Sequence, residues 1–385
     1  INAMDKKNKN PNVPNLRFPY KGDWHKRKLN EICLFFKGNG LSKSDLSNEG
    51  FPCILYGELY TTYKNEVISD IISKTNTTLS NPFLSRNNDL IIPGSGEDPI
   101  DIAVARAIYQ NDIILGGDLN ILRPKSNVSA AFLSYQLNGV RRYDIAKKAQ
   151  GKSIVHLHNS DLKEVLVSIP SYDEQLHIVK LLTKIDEMIE TQSKIIDTLS
   201  SQKKQIRNLI FKDIHKNANC CIQDYVIYEQ PQKYIVHSTD YLSYGKDYTP
   251  VLTANQSFIL GYTLEKDGIY EKGDCIIFDD FTNENKYVDF PFKVKSSALK
   301  ILQTKEGLML KFFYEYLQFL NFESTDHKRH YLSEVAVTDV SVPNLKEQTF
   351  VCKIFTSFDN KLKNEEALLE KYRLQKQFFL NNLFI

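Results

Sequence analysis

The densest grouping of chemically able side chains lies between Ala146 and Ser153, which fits the loose phosphate-loop pattern A/G-x-x-x-x-G-K-S/T through Gly151, Lys152 and Ser153. A working phosphate loop needs an apolar strand before it and a helix after it, so that backbone N–H groups and a helix N-terminus surround the phosphates. Here the stretch follows the polar run Arg141-Arg142-Tyr143-Asp144 and precedes the alternating Ile154-Val155-His156-Leu157-His158, which reads as a strand. The segment is therefore predicted to be a basic loop carrying Lys147, Lys148, Gln150 and Lys152, and a phosphate-loop nucleotide hydrolase is kept only as an alternative. Adenine-amino methyl transfer calls for a D/N-P-P-F/Y loop, and the nearest tract, Asn81-Pro82-Phe83, is one proline short. His156 and His158 share one side of the expected strand, but no carboxylate or cysteine cluster accompanies them as a metal set requires. No catalytic, metal or cofactor-binding residue is assigned.

A second basic cluster, His327, Lys328, Arg329 and His330, stands before the C-terminal part of the chain as the first stands before the middle. Lysine gives sequence-blind contacts to phosphates, whereas arginine and glutamine also read base edges. The DNA-binding candidates are accordingly Lys147, Lys148, Gln150, Lys152, His156, His327, Lys328, Arg329 and His330.

The whole chain gives only weak electrostatic support, because 49 Lys and Arg against 47 Asp and Glu leave a net charge of +2. A length of 385 residues implies two or three domains, and 42% hydrophobic with 25% charged residues is ordinary for globular proteins. Six cysteines with no C-x-x-C spacing argue against a zinc ribbon or a secreted disulfide framework. With no run of 18 apolar residues and a polar beginning, a cytoplasmic protein is expected. Ile1 to Ala3, ahead of Met4, read as a tag remnant.

These clusters are positioned by a repeat. Residues 170–211 match 343–384 without a gap at an offset of 173. Ten positions are identical, among them Pro170/Pro343, Glu174/Glu347, Gln175/Gln348, Asp186/Asp359, Lys203/Lys376 and Phe211/Phe384. After the opening proline neither copy contains Gly or Pro, and each reads as a single helix of roughly 60 Å at about 1.5 Å per residue. Such lengths need a partner surface. A seven-residue seam runs through Ile178, Leu181, Ile185, Met188, Ile195, Leu199, Gln202 and Ile206, and more loosely through Val351, Ile354, Phe358, Leu368, Tyr372, Gln375 and Phe379. The paired Gln202 and Gln375 are expected to fix the register of the two helices. Leu182, Ile189, Phe355 and Leu369, outside the seam, are expected to form a docking surface.

The globular regions echo each other more faintly, Asp89-Leu90-Ile91-Ile92 against Asp274-Cys275-Ile276-Ile277 and Leu119-Asn120-Ile121-Leu122 against Leu299-Lys300-Ile301-Leu302. Short β-rich runs, including Ile154 to Leu157 and Val335 to Val337, predict mixed α/β folding. The expected order is a globule at 16–169, a helix at 170–216, a globule at 217–342 and a helix at 343–385. Antiparallel packing of the helices would relate the globules by an approximate twofold axis.

Leu16-Arg17-Phe18-Pro19 with Trp24 and Lys28-Leu29, together with Ile169-Pro170, Glu174-Gln175 and Ile178 and their second copy Val342-Pro343, Glu347-Gln348 and Val351, resemble the signatures of type I restriction-modification specificity subunits. Thr249-Pro250-Val251, Gly261-Tyr262-Thr263, Ile276 to Asp280 and Lys286 to Phe292 are similar to one type of target recognition domain. The resemblance implies two target recognition domains, each reading half of an interrupted DNA site, with the helices as an antiparallel coiled-coil spacer. It also implies two methyltransferase subunits and restriction motor subunits as partners, which would hold S-adenosylmethionine, ATP and magnesium. The non-enzymatic rival is a coiled-coil interaction scaffold without DNA binding.

Overall fold

The computed structural model describes residues 2–3, 10–245, 247–253, 258–322 and 329–385. The chain divides into two compact units, residues 1–193 with 367–385, and residues 194–366. Both dividing lines fall inside the long helices, so each unit takes part of both.

The first unit is built on the five strands Cys33–Lys37 (β1), Val67–Ile68 (β2), Asp89–Pro93 (β3), Arg106–Ile108 (β4) and Leu119–Pro124 (β5). They lie in the order β1-β5-β3-β4-β2, antiparallel except for the β4–β2 pair. β3 is a continuous run of buried residues because both faces of the sheet are covered. On one face lies the helix Ala130–Asn138 (α1), in which all but the last residue are buried. Its Leu133 and Leu137 enter the sheet-side core, while Phe132 and Tyr135 pack among residues of the long helices. A helix enclosed on both sides needs no polar face. The long helix Tyr172–His215 (α2) follows the strand Leu166–Ile169.

In the second unit the strands Val226–Glu229 (β6), Cys275–Asp279 (β7), Asn285–Val288 (β8) and Leu299–Thr304 (β9) lie in the antiparallel order β6-β9-β7-β8. The helix Leu310–Leu320 (α3) covers the sheet, and the chain returns through the long helix Leu345–Asn382 (α4). The two sheets share one plan. β5 pairs Cys33 with Pro124 as β9 pairs Val226 with Thr304, and β3 pairs Leu90 with Leu122 as β7 pairs Ile276 with Leu302. Leu90 therefore corresponds to Ile276, one residue beyond the match expected from the sequence echo. The fold is mixed α/β as expected, with one local difference. Val335 ends a helical turn, Tyr331–Val335, and with Ala336 is buried by that turn, so Val335 to Val337 form no strand.

The paired glutamines of the repeat do the same work in both units. Gln175 accepts the backbone N–H of Ser129 at 2.9 Å and donates to the carbonyls of Asn127 and Pro170. Gln348 accepts that of Met309 at 2.7 Å and donates to the carbonyls of Gly307 and Pro343. Each amide ties the start of a long helix to the start of the shorter helix, α1 or α3, and satisfies backbone groups that burial would otherwise leave unpaired.

Within each unit the long helices meet antiparallel through copies of one charged pair. In the first, Lys376 Nζ lies 2.7 Å from Asp186 and 2.6 Å from Glu66. In the second, Lys203 Nζ lies 2.6 Å from Asp359 and 3.1 Å from Glu315. Gln202 and Gln375 are exposed and do not align the helices; the lysine after each of them does. Of the other seam positions Ile178, Ile185, Leu199 and Val351 are buried, Leu181, Met188, Ile206, Ile354, Phe358, Leu368, Tyr372 and Phe379 are half-buried, and Ile195 is exposed. Leu182 and Phe355 are fully buried in the units' own cores and Leu369 nearly so, while Ile189 is half-buried, so three of the four residues expected to form a docking surface do not offer one.

Candidate nucleic-acid interface

The basic segment of the first unit forms a hairpin. After the short helix Arg142–Ala146, Gln150–Gly151 pairs antiparallel with Val155–His156, which in turn pairs with Ser95–Gly96 at the end of β3. Val155 and Leu157 point into the core while His156 and His158 face out, the period-2 alternation of a half-buried strand. Gln150 is directly opposite His156 and is exposed with it, so the two side chains share the outer face. Lys152, Ser153 and Ile154 form the exposed tip, and Lys147 and the half-buried Lys148 follow the short helix. The turn depends on Gly151, whose φ is +138° and where a Cβ would lie 2.0 Å from the carbonyl oxygen of Ile154.

This hairpin removes the phosphate-loop reading. The residues after Lys152 and Ser153 enter a strand, so no helix N-terminus faces the position a phosphate would occupy.

The second unit places its basic residues at the matching point. The backbone N–H of Leu157 donates to Gly94 O at 2.9 Å, just beyond β3, and that of His330 donates to Asp280 O at 2.9 Å, just beyond β7. Leu157 and His330 are 173 residues apart, so the register of the helix repeat extends into both globules. His330 accordingly fills the slot of a core leucine. It is buried with its ring Nδ1 against Glu334 at 3.0 Å, and the expectation that it faces DNA is corrected. Arg329 corresponds to His156 and is exposed. Its guanidinium rests over the Phe281 ring at 5.8 Å and reaches Asp280 at 3.9 Å, while Asp280 is more closely matched by the buried Lys300 at 3.0 Å. His327 and Lys328 lie outside the described residues.

Two features escaped the sequence reading. Tyr143 and Tyr244 are largely exposed, and Tyr143 stands one turn before Lys147. His237, Glu265 and Asp267 bring one ligand atom each within 4.8 Å of one another. Glu265 is already matched by the buried Lys293 at 2.6 Å and accepts the backbone N–H groups of His237 and Ser238. Burial pulls the Glu265 carboxyl up, but Lys293 and these N–H groups outweigh it and hold it below the usual carboxylate range. An internal cation already supplies the charge that a metal would bring. Among the described residues no helix is long and apolar enough to cross a membrane.

Residues 21–201 match the family described as Type I restriction modification DNA specificity domain. The chain is 39% identical over 170 residues to the EcoR124I/EcoR124II type I restriction enzyme specificity subunit of Escherichia coli, covering 40% of this chain and 41% of that one. It is 24% identical over 205 residues to the putative MjaX type I restriction enzyme specificity subunit of Methanocaldococcus jannaschii, covering 49% and 45%. The matched stretches thus span less than half of these curated relatives. The crystal structure of a type I restriction-modification S subunit from M. genitalium superimposes with a TM-score of 0.66 at 18% identity, covering 97% of this chain and 99% of that one. At that identity the likeness speaks for the fold. Residues 21–201 are therefore similar to the type I restriction-modification DNA specificity domain, and the chain shares the fold of that solved S subunit along almost its whole length.

Proposed function

We propose that this chain is the sequence-reading subunit of a type I restriction-modification assembly. It recognises a two-part site in double-stranded DNA and directs adenine methyltransferase and restriction subunits to it, with no catalysis of its own. The observation that carries the reading is the repeated placement of an exposed nitrogen-bearing side chain, His156 or Arg329, beyond the end of the same central strand in two cores of one plan. In the first core Lys147, Lys148 and Lys152 supply phosphate contacts that fix position, and Gln150 offers an amide able to read an adenine edge. In the second, Arg329 is the base-reading candidate, its planar cation suited to a guanine edge.

S-adenosylmethionine, ATP and magnesium belong to the partner subunits on this reading, two of which are methyltransferases, and the assembly works in the cytoplasm. The test is to map methylated adenines in DNA from cells carrying this chain with its methyltransferase. One interrupted motif that disappears when the chain is deleted supports the proposal. Methylation unchanged by the deletion refutes it and leaves an interaction scaffold without DNA function.

A further inference from the structure

The duplication that builds the two units leaves one surface covered in the first and bare in the second. In the first unit the segment Leu16 to Trp24 lies across the start of α2. Arg17 grips Glu174 with two bonds of 2.7 and 2.8 Å, and Trp24 Nε1 donates to the same carboxylate at 3.2 Å. Tyr20 bonds to His177 and the Phe18 ring packs 5.9 Å from it, while Asn15 reaches Asn382. Glu174 is in consequence only 1% exposed.

The repeat register identifies each of these positions in the second unit. Glu347 is the copy of Glu174, Phe350 that of His177, and Leu209 that of Asn382. No segment crosses them among the described residues. Glu347 is exposed and has no charged or hydrogen-bonding side-chain partner among the described residues. Phe350 and Leu209 are 66% and 73% exposed, and they flank an open groove of about 760 Å³ with Glu347 on its wall. The reason is covalent. The chain enters the first core through the segment Leu16 to Trp24, which folds over the helix start, whereas it enters the second as the end of α2, with Asn217 at the groove where the first unit has Trp24.

We propose that this groove is a docking site for an extended segment of a partner protein carrying an arginine and a large aromatic residue, held as Arg17 and Trp24 are held on Glu174. The occupant is defined by the first unit, which displays that chemistry on the same helix start. A carboxylate facing a planar cation with two parallel bonds, beside an exposed phenylalanine, selects arginine over lysine. Exposed apolar side chains of this size beside a groove mark an interaction site. The inference rests on the internal copy and is independent of how the protein reads DNA.

The probe is a fluorescein-labelled peptide with the sequence of residues 13–25, titrated with the full chain and followed by anisotropy. Saturable binding below about 100 µM is expected, weakened about tenfold or more by Glu347→Gln in the protein and by Arg17→Ala in the peptide. The Glu347 side chain bonds to nothing described within the chain, so the urea midpoint of the variant should be unchanged. Phe350→Ser provides a second variant and should weaken binding in the same direction. No saturable binding below about 1 mM, or equal affinity for Glu347→Gln and the parent, overturns the proposal. Self-association of the chain that Glu347→Gln abolishes also overturns it, by giving the groove to a second copy.

Discussion

Replacing Lys376 with methionine tests the charged contact between the long helices, and the two units supply unequal backgrounds for the same substitution. Among the described residues Lys376 is the one cation bonded to both Glu66 and Asp186, which are 6% exposed or less overall. Burial pulls its ammonium down, but the two carboxylates outweigh that and hold it above the ordinary lysine range. A cation raised in the folded state lends its full stability below the unfolded lysine value, about pH 10.4, and loses it only as pH rises through the folded value. The contribution is therefore complete at neutral pH. Removing one partner of a buried ion pair costs about 3–5 kcal/mol, because the remaining charge is left unmatched in a poorly polarisable setting. At about 3 kcal/mol per molar urea this is a midpoint drop of about 1–1.7 M. Trp24, the sole tryptophan, is buried in the first unit and makes its fluorescence the natural readout. The penalty should shrink as pH falls from 8 to 5, since burial already pulls the Asp186 carboxyl above its usual range and a proton then replaces the missing cation. The equivalent Lys203→Met should cost only about 1 kcal/mol by circular dichroism, because Arg207 still pairs with Glu315 and Lys311 with both Glu315 and Asp359. A destabilisation below about 1 kcal/mol for Lys376→Met, or one that does not change with pH, would refute the assignment of the contact as a buried, uncompensated pair.

Other expectations follow from the candidate interface and the cores. Changing Lys147, Lys148 and Lys152 to alanine together should weaken DNA binding across sequences and reduce the slope of log affinity against log salt by about 0.9 for each phosphate no longer neutralised; an unchanged slope removes these lysines from the interface. Gly151→Ala should distort the hairpin, lowering affinity with little change in the urea midpoint, because the clash is with the adjacent turn at the surface. Burial pulls the Asp359 carboxyl up, but Lys203 and Lys311 prevail and hold it below the usual range. Its share of stability is thus present above the unfolded value, about pH 3.9, and lost as pH falls through the folded one, so the urea midpoints of the parent and Asp359→Asn should converge in acid. Burial pushes the Cys33 and Cys275 thiols up to about 12, so neither should react with iodoacetamide at pH 8 until the protein unfolds.

The long helices were legible because their signals are local. Two gapless tracts without glycine or proline, each opening after a proline, need no knowledge of what they touch. The depth of each seam residue was less legible, since a heptad assumes a partner helix on one side only. Here α1 and α3 also pack against the long helices, so buried positions such as Leu182 and Phe355 fall outside the strict seam. The basic clusters were found by composition, but composition has no facing direction. Arg329 and His330 are neighbours in the chain, and only the backbone bond of His330 to Asp280 sets one outward and the other into the slot of Leu157. The matching of the two sheets was nearly hidden because a sheet is specified by burial, and isoleucine, leucine, cysteine and phenylalanine exchange freely where the requirement is an apolar volume.

That contrast explains which residues of the repeat stayed identical. Asp186 meets Lys376 in the first unit and its copy Asp359 meets Lys203, the copy of Lys376, in the second. An antiparallel pairing of duplicated helices makes every such contact twice from one pair of residue types, so each residue is chosen by the copy of its neighbour. Gln175 and Gln348 each answer three backbone groups that no apolar residue can satisfy. Phe384 and Phe211 each lie within about 5.3 Å of a phenylalanine on the shorter helix, Phe132 or Phe312. Specific geometry preserves the residue where burial alone preserves only the class. Glu347 follows the same logic: its copy Glu174 is fixed by Arg17 and Trp24, whereas within this chain nothing described fixes Glu347. The retained identity points to a contact made outside the chain, and the peptide titration measures that contact directly.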